Sequence, residues 1–185
     1  NYRDPSHTPE APRSRGELPL QYLTGSQTPE DFLSDIAAQA QDYAGFNLLV
    51  GGHDSLWHYT NSDTLPPGVY GLSNATLDTP WPKVVLGKAK LLALLEAGPM
   101  SHRALADVVS SQQLADQNSL IAQGLDSTME STLSPQFIVT DTYGTRSSTT
   151  LWFDAQAQAS WLELSFNAQG VLREVQHKEM RLSDR

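Results

Sequence analysis

The last third of the chain constrains the fold most. Runs of β-type residues at 136–141, 147–154, 160–167 and 171–178 follow one another, separated by DTYGT, AQAQ and AQG. Links this short join antiparallel neighbours, because a parallel return needs a crossover of a dozen or more residues. The segment therefore reads as an antiparallel meander. Two shorter runs, 46–50 and 55–60, flank the turn GGHD and read as a hairpin, with a further run at 69–73 after Pro66-Pro67-Gly68. Helical patterns are grouped between these two sets of strands, which makes the class α+β.

The helices carry their own signals. Thr28 caps, Pro29 suits the first position, and Glu30 and Asp31 favour the positive end of the dipole. Phe32, Leu33, Ile36, Ala40 and Tyr43 then share one stripe, stopped by Gly45. A shorter helix over 17–25 ends at Gly25. Pro80 and Pro82 open another that runs to about Ala97, with Val84, Leu91 and Leu95 on one face and Gly98-Pro99 ending it. Ser101 begins a fourth, with Leu105, Val108 and Val109 inward; 110–131 reads as a long polar loop with a helical turn. Residues 1–16, with Pro5, Pro9 and Pro12, read as irregular: a solvated loop or a flap over a site.

The 185 residues suit one domain, 1–185, with a real core. A formal net charge of −9 argues against an extended phosphate-binding surface and so against nucleic acid, although Lys83, Lys88 and Lys90 cluster. No apolar run approaches the roughly 18 residues that span a bilayer, and the start shows no signal-peptide pattern, so a cytoplasmic location is expected. There is no cysteine, hence no thiolate nucleophile or thiolate zinc site within these residues. His53 and His58 point to opposite faces of a short strand, which argues against a shared metal; either can singly ligate a haem iron.

Three segments carry more than folding asks of them. In YGLSNATLDTPWPK, Asn74 ends an apolar run, where an amide N–H can stabilise a developing oxyanion or simply hold a turn. In YGTRSSTT, Tyr143 to Thr150, Arg146 enters a strand among small hydroxyl residues; it can bind an anionic group or serve as an exposed cross-strand charge. In the opening NYRDP, Asn1 cannot be a nucleophile but can donate from its amide. No HExxH, P-loop, GxGxxG or GxSxG pattern occurs.

Taken in order, RSRGELPLQYLTG, YAGFNLLVGG, PGVYGLSNATLDTPWPKVVLGK and LSPQFIVTDTYGTRSSTTLWFD resemble the NRDE family, also called the transport and Golgi organization protein family. The likeness covers roughly residues 1 to 166. The family is named for an Asn-Arg-Asp-Glu motif near an initial cysteine, and neither lies in this sequence. NYRDP resembles a segment further downstream in the family, so the expectation is that an N-terminal segment precedes Asn1.

The resemblance implies a fold similar to N-terminal-nucleophile hydrolases of the penicillin V acylase and bile salt hydrolase type: a four-layer αββα sandwich, here incomplete at its N-terminus. It implies an amidohydrolase-type site acting on non-peptide C–N bonds. The nucleophilic Cys is expected on the preceding segment, with Asn1 and Asn74 as oxyanion-hole donors and Arg146 beside the nucleophile. Trp81, Lys83 and Tyr143 are the expected substrate contacts. The alternative is a non-catalytic protein that carries haem, a lipid or an acyl-coenzyme A in the same cleft, with no resident cofactor or metal. There Lys83, Lys88 and Arg146 would meet carboxylates or phosphates, and Trp81 and Trp57 would stack on the cargo. The partners expected are thus a small amide or a hydrophobic anionic ligand, and the preceding segment itself. A third reading is an interaction domain whose PPGVYG and DTYGT turns serve folding alone.

Overall fold

The computed structural model describes residues 11–52, 55–59, 65–125 and 128–181. Asn1, His53 and the middle of the GGHD turn lie outside the described residues. The chain forms two compact units, Asn1–Thr79 and Pro80–Arg185.

The first unit is built on α1 (Glu17–Thr24), α2 (Pro29–Ala38), a 3-10 turn (Ala40–Asp42) and a hairpin of β1 (Leu49–Gly51) and β2 (Leu56–His58). The α2 start behaves as its sequence requires: Thr28 Oγ1 accepts from Asp31 N at 3.2 Å and donates to Asp31 Oδ2 at 2.9 Å. Phe32, Leu33 and Ile36 are buried with Leu18, Tyr43, Leu48 and Val50 in one cluster. Each such side chain contributes about 1.5–3 kcal/mol of burial free energy. The helix ends at Ala38, short of Gly45, and tightens into the 3-10 turn. Gly25 does end α1, but in an extended conformation (φ −87°), where an added Cβ would lie 2.9 Å from Gln21 O.

Two arginines bind the entry segment to this unit. The Arg13 guanidinium reaches Glu17 Oε2 (3.0 and 3.1 Å) and Gln39 Oε1 (2.8 Å), and lies 4.8 Å from the centre of the Tyr43 ring. Arg15 donates to Gly45 O at 3.0 Å. The RSRGE stretch is therefore a clasp, in which charge-assisted hydrogen bonds offset the entropy of ordering a polar segment.

The hairpin pairs antiparallel, Leu49 with His58 and Gly51 with Leu56. Within the described residues its strands are shorter than the two sequence runs, with one more backbone bond, Tyr59 N to Leu48 O at 3.0 Å, beyond them. Residues 69–73 do not form the expected strand. The Gly71 N–H donates to Asp78 Oδ1 (2.7 Å) and its carbonyl accepts from Asp78 N (2.8 Å), so one residue seven positions on takes up the groups a ladder would use.

The second unit contains α3 (Pro82–Ala97), α4 (His102–Val108), α5 (Gln117–Ile121), α6 (Thr128–Thr132) and a sheet of β3 (Ser147–Phe153), β4 (Gln158–Phe166) and β5 (Leu172–Arg181). The strands pair antiparallel in the order β3-β4-β5, so the meander expected over 147–178 is present. The run at 136–141 is not a strand: only an isolated bridge joins Val139 to Gly144, and Phe137 N bonds Ser111 O at 2.9 Å instead. Val84 is buried as expected, but Leu95 is 48% exposed and Val109 45% exposed. On α3 the less exposed stripe runs through Val84, Gly87, Lys88, Leu91 and Leu94, so Val84 and Leu91 lie on it as expected and Leu95 is one residue off. The polar stretch after residue 110 forms two short helices, the first capped by Asp116 Oδ2 accepting from Ser119 N at 3.0 Å. Helix α4 packs on β3, and every residue of β5 is exposed. The whole is a mixed α/β structure with small antiparallel sheets. Among the described residues no helix is long and apolar enough to cross a membrane.

Candidate functional site

The segment from Tyr70 to Lys83 is shaped by Asp78. Its φ of +59° lies in the left-handed region, which a short polar side chain tolerates better than most. With Gly71 clasped, residues 73–76 bend, and Thr79 N and Oγ1 both bond Thr76 O (3.2 and 2.9 Å). Asn47 Nδ2 donates to Ala75 O at 2.8 Å and ties this bend to the hairpin. Asn74, next to the anchored Ala75, is exposed. On its other side Asn47 Oδ1 lies 3.4 Å from Nε2 of His58, which is fully buried. Burial pushes the His58 imidazole below its ordinary pKa and the Tyr59 phenol above its own. His58 is thus enclosed in the core of its unit.

In the second unit, Trp81 occupies the cap position of α3 and is buried. The Lys83 ammonium lies 5.5 Å from the centre of the Trp81 ring and donates to Leu133 O at 3.0 Å. A cation at this distance from an indole face is held electrostatically. Lys83 lines a cleft of about 230 Å³ together with Pro82, Leu86, Leu114, Asp116, Ser134 and Gln136. Gln136 Nε2 donates to Lys83 O at 3.0 Å, passing so close to α3 that a Cβ at Gly87 would meet it at 2.9 Å. Gln136 Oε1 is buried with no hydrogen-bond partner among the described residues, which costs about 1–3 kcal/mol.

The structure thus brings Trp81 and Lys83 into contact, and Lys83, but not Trp81, Tyr143 or Arg146, lines the cleft. Tyr143 is 62% exposed on a tight turn whose backbone is closed by Thr140 (Tyr143 N to Thr140 Oγ1, 2.9 Å). Arg146 is exposed just ahead of β3; its carbonyl accepts from Phe166 N at 2.8 Å, and its guanidinium has no ion pair or hydrogen bond among the described residues. Asn74 belongs to the other unit, and Asn1 lies outside the described residues.

A polar network on the sheet is not legible in the sequence. His102, at the start of α4, places Nδ1 2.7 Å from Thr150 Oγ1 and Nε2 2.9 Å from Ser160 Oγ, and stacks on Trp152 at 3.8 Å. Thr150 Oγ1 also lies 3.4 Å from Leu162 O, and the tautomer of His102 sets which of its ring nitrogens donates to its hydroxyl partner and which accepts. His177 approaches edge-on at 5.2 Å, with Glu179 beside it at 3.9 Å. Burial holds the His102 imidazole below its ordinary pKa; the charge of His177 adds to this and Glu179 opposes it. The only sequence signal was His177 and Glu179 alternating on one strand face, because their partner lies on a helix far upstream. Among the described residues no group of His, Cys, Asp and Glu is disposed to hold a metal ion.

These features define a mixed α/β protein with a small cleft beside its second-unit helices, lined by Lys83 and Asp116. The chain belongs to the Transport and Golgi organisation 2 family, whose model matches residues 1–168. It is 33% identical over 186 residues to the Transport and Golgi organization protein 2 homolog of Bos taurus, covering 89% of this chain and 66% of that protein. The Mus musculus homolog is 31% identical with the same coverage. The Homo sapiens homolog is 29% identical over 199 residues, covering 98% of this chain and 70% of that protein. The chain spans about two thirds of the length of the bovine and mouse relatives (66%).

Proposed function

We propose that this chain is a binding component for a small hydrophobic molecule with an anionic head, and that the head docks at Lys83. The observation that carries this reading is the Lys83 ammonium, held over the Trp81 ring at the rim of a cleft of about 230 Å³. Leu86, Leu114 and Ala115 form an apolar wall of that cleft, whose lining also holds Asp116, its carboxylate taken up by the Ser119 N–H and hydroxyl at 3.0 and 3.2 Å. Such a wall weakens competition from water and strengthens a carboxylate or phosphate contact. A cleft this small takes a head and its first carbons. The body of a larger cargo, an acyl chain or a haem with its propionates, extends beyond the open mouth. Decanoate titrated by calorimetry tests this, with decanol as the uncharged comparison: decanoate is expected to bind at least about tenfold more tightly, some 1.4 kcal/mol. Equal binding of the two refutes the role of Lys83. A haem titration without a Soret shift removes haem from the class.

A second reading is favoured by the unpaired Arg146 guanidinium at the entry to β3. It is an amidohydrolase-type site within a four-layer αββα fold. Its nucleophilic Cys would be supplied from outside this sequence, with Asn1 and Asn74 as amide donors and Arg146 steadying the substrate. The nucleophile would attack the amide carbonyl while amide donors take up the oxyanion. Turnover of N-acyl amides by a protein that begins with such a Cys, lost on Cys→Ala and reduced by Arg146→Gln, is the expected result. No turnover across an amide library discards it.

A further inference from the structure

A second cleft, of about 220 Å³, lies where α4 meets the β3–β4 face, and its lining differs in kind from that of the Lys83 cleft. Its floor is apolar: Phe137 and Leu164 are buried, and Phe166 meets the Phe137 ring edge-on at 4.8 Å. Its rim carries one full charge of each sign, Arg103 and Asp107, with the Ser148 hydroxyl. We propose that this cleft binds a free α-amino acid with an apolar side chain.

Three features support the assignment. First, Arg103 and Asp107 stand four residues apart on α4, so they are neighbours on one face, about 5–6 Å apart at Cβ. Among the described residues neither side chain has an ion pair or hydrogen bond; Lys90 reaches the Asp107 carbonyl at 3.4 Å and leaves the carboxylate unpaired. Arg ahead of Asp is the weaker order for a helical pair, and exposed pairs contribute only about 0.2–0.5 kcal/mol. A ligand carrying both charges therefore displaces little. The planar guanidinium matches a carboxylate in two parallel hydrogen bonds, and Asp107 accepts from the ammonium.

Second, the floor is set close under the rim by Gly170. Its φ is +71°, and a Cβ there would come within 2.8 Å of Val139 Cγ2 and 3.1 Å of Phe137 Cε1. Only glycine lets this backbone lie so near the ring. Third, the volume falls below the roughly 300–1,000 Å³ of drug-sized sites. It is filled by a single ring or a branched aliphatic group. The proposal does not depend on the Lys83 cleft.

The test is calorimetric titration of the full chain with L-phenylalanine and L-leucine, alongside 3-phenylpropanoate and phenethylamine, which each lack one charge. One saturable site is expected for the amino acids, weakened at least about tenfold for either analogue. Arg103→Gln should weaken L-phenylalanine by a similar factor. Asp107→Asn should weaken L-phenylalanine but leave 3-phenylpropanoate unchanged. Both positions are exposed, and unaltered circular dichroism of the variants confirms that the fold is kept. No saturable binding of either amino acid at about 10 mM overturns the proposal, as does an unchanged Arg103→Gln. Equal affinity for 3-phenylpropanoate and L-phenylalanine overturns the amino-acid assignment.

Discussion

Replacing Asp78 separates two contributions that its geometry combines. The side chain holds the Gly71 N–H at 2.7 Å, and the backbone sits at φ +59°. Asp78→Ala removes the acceptor, leaving a half-buried N–H short of its partner at about 1–2 kcal/mol. It also puts a plain Cβ in the left-handed region at about 1 kcal/mol more. The expected loss is about 2–3 kcal/mol. Asp78→Gly removes the acceptor but not the conformational freedom, so it should cost only the first part, about 1–2 kcal/mol. Asp78→Asn keeps an acceptor and tolerates the same φ, and should cost less than about 1 kcal/mol. Urea unfolding of the four proteins, followed by tryptophan fluorescence, reads these as midpoint shifts at constant slope. The ordering Ala, then Gly, then Asn is the decisive result. If glycine destabilises as much as alanine, the backbone argument is wrong; if all three match the parent, the clasp contributes nothing.

Two further outcomes follow from the structure. His102 is held below its ordinary pKa, as is His58, so between the lowered values and about 6.5 the unfolded chain binds more protons. Stability is therefore full above about pH 6.5 and is lost as pH falls through the lowered values; urea midpoints should drop from about pH 7.5 to about pH 5.5, and less so in His102→Gln. A pH-independent midpoint contradicts this. Thr28→Ala removes the α2 cap and should cost about 1 kcal/mol, whereas Thr28→Ser should be nearly neutral. Chemical denaturation distinguishes them, and equal losses in the two variants would show that the hydroxyl is not the cause.

What could be read from the sequence was what local chemistry decides. The Thr28-Pro29 start, the Phe32, Leu33 and Ile36 stripe and the three-strand meander each depend on residues within one element or one turn. The misreadings arose where a distant group intervened. Residues 69–73 have a strand's composition, but Asp78 claims Gly71 on both sides. The run at 136–141 is similar: Phe137 bonds Ser111, and Thr140 folds back on Tyr143. On α3 and α4, Leu95 and Val109 were one residue off the packed stripe, an error the angular width of an apolar face permits. The site shows the same division. GLSNATLDTPWPK stands out in the sequence, and within it the Lys83 ammonium lies over the neighbouring Trp81 ring. The His102 network does not, because its hydroxyl partners lie 48 and 58 residues away.

The central claim is that Lys83 receives the anionic head of a hydrophobic ligand. The direct measurement is calorimetric titration of decanoate and decanol into the parent chain, Lys83→Met and Lys83→Arg. The preference for decanoate, at least about tenfold in the parent, is expected to survive in Lys83→Arg and to disappear in Lys83→Met while decanol is unaffected. An undiminished preference in Lys83→Met contradicts it.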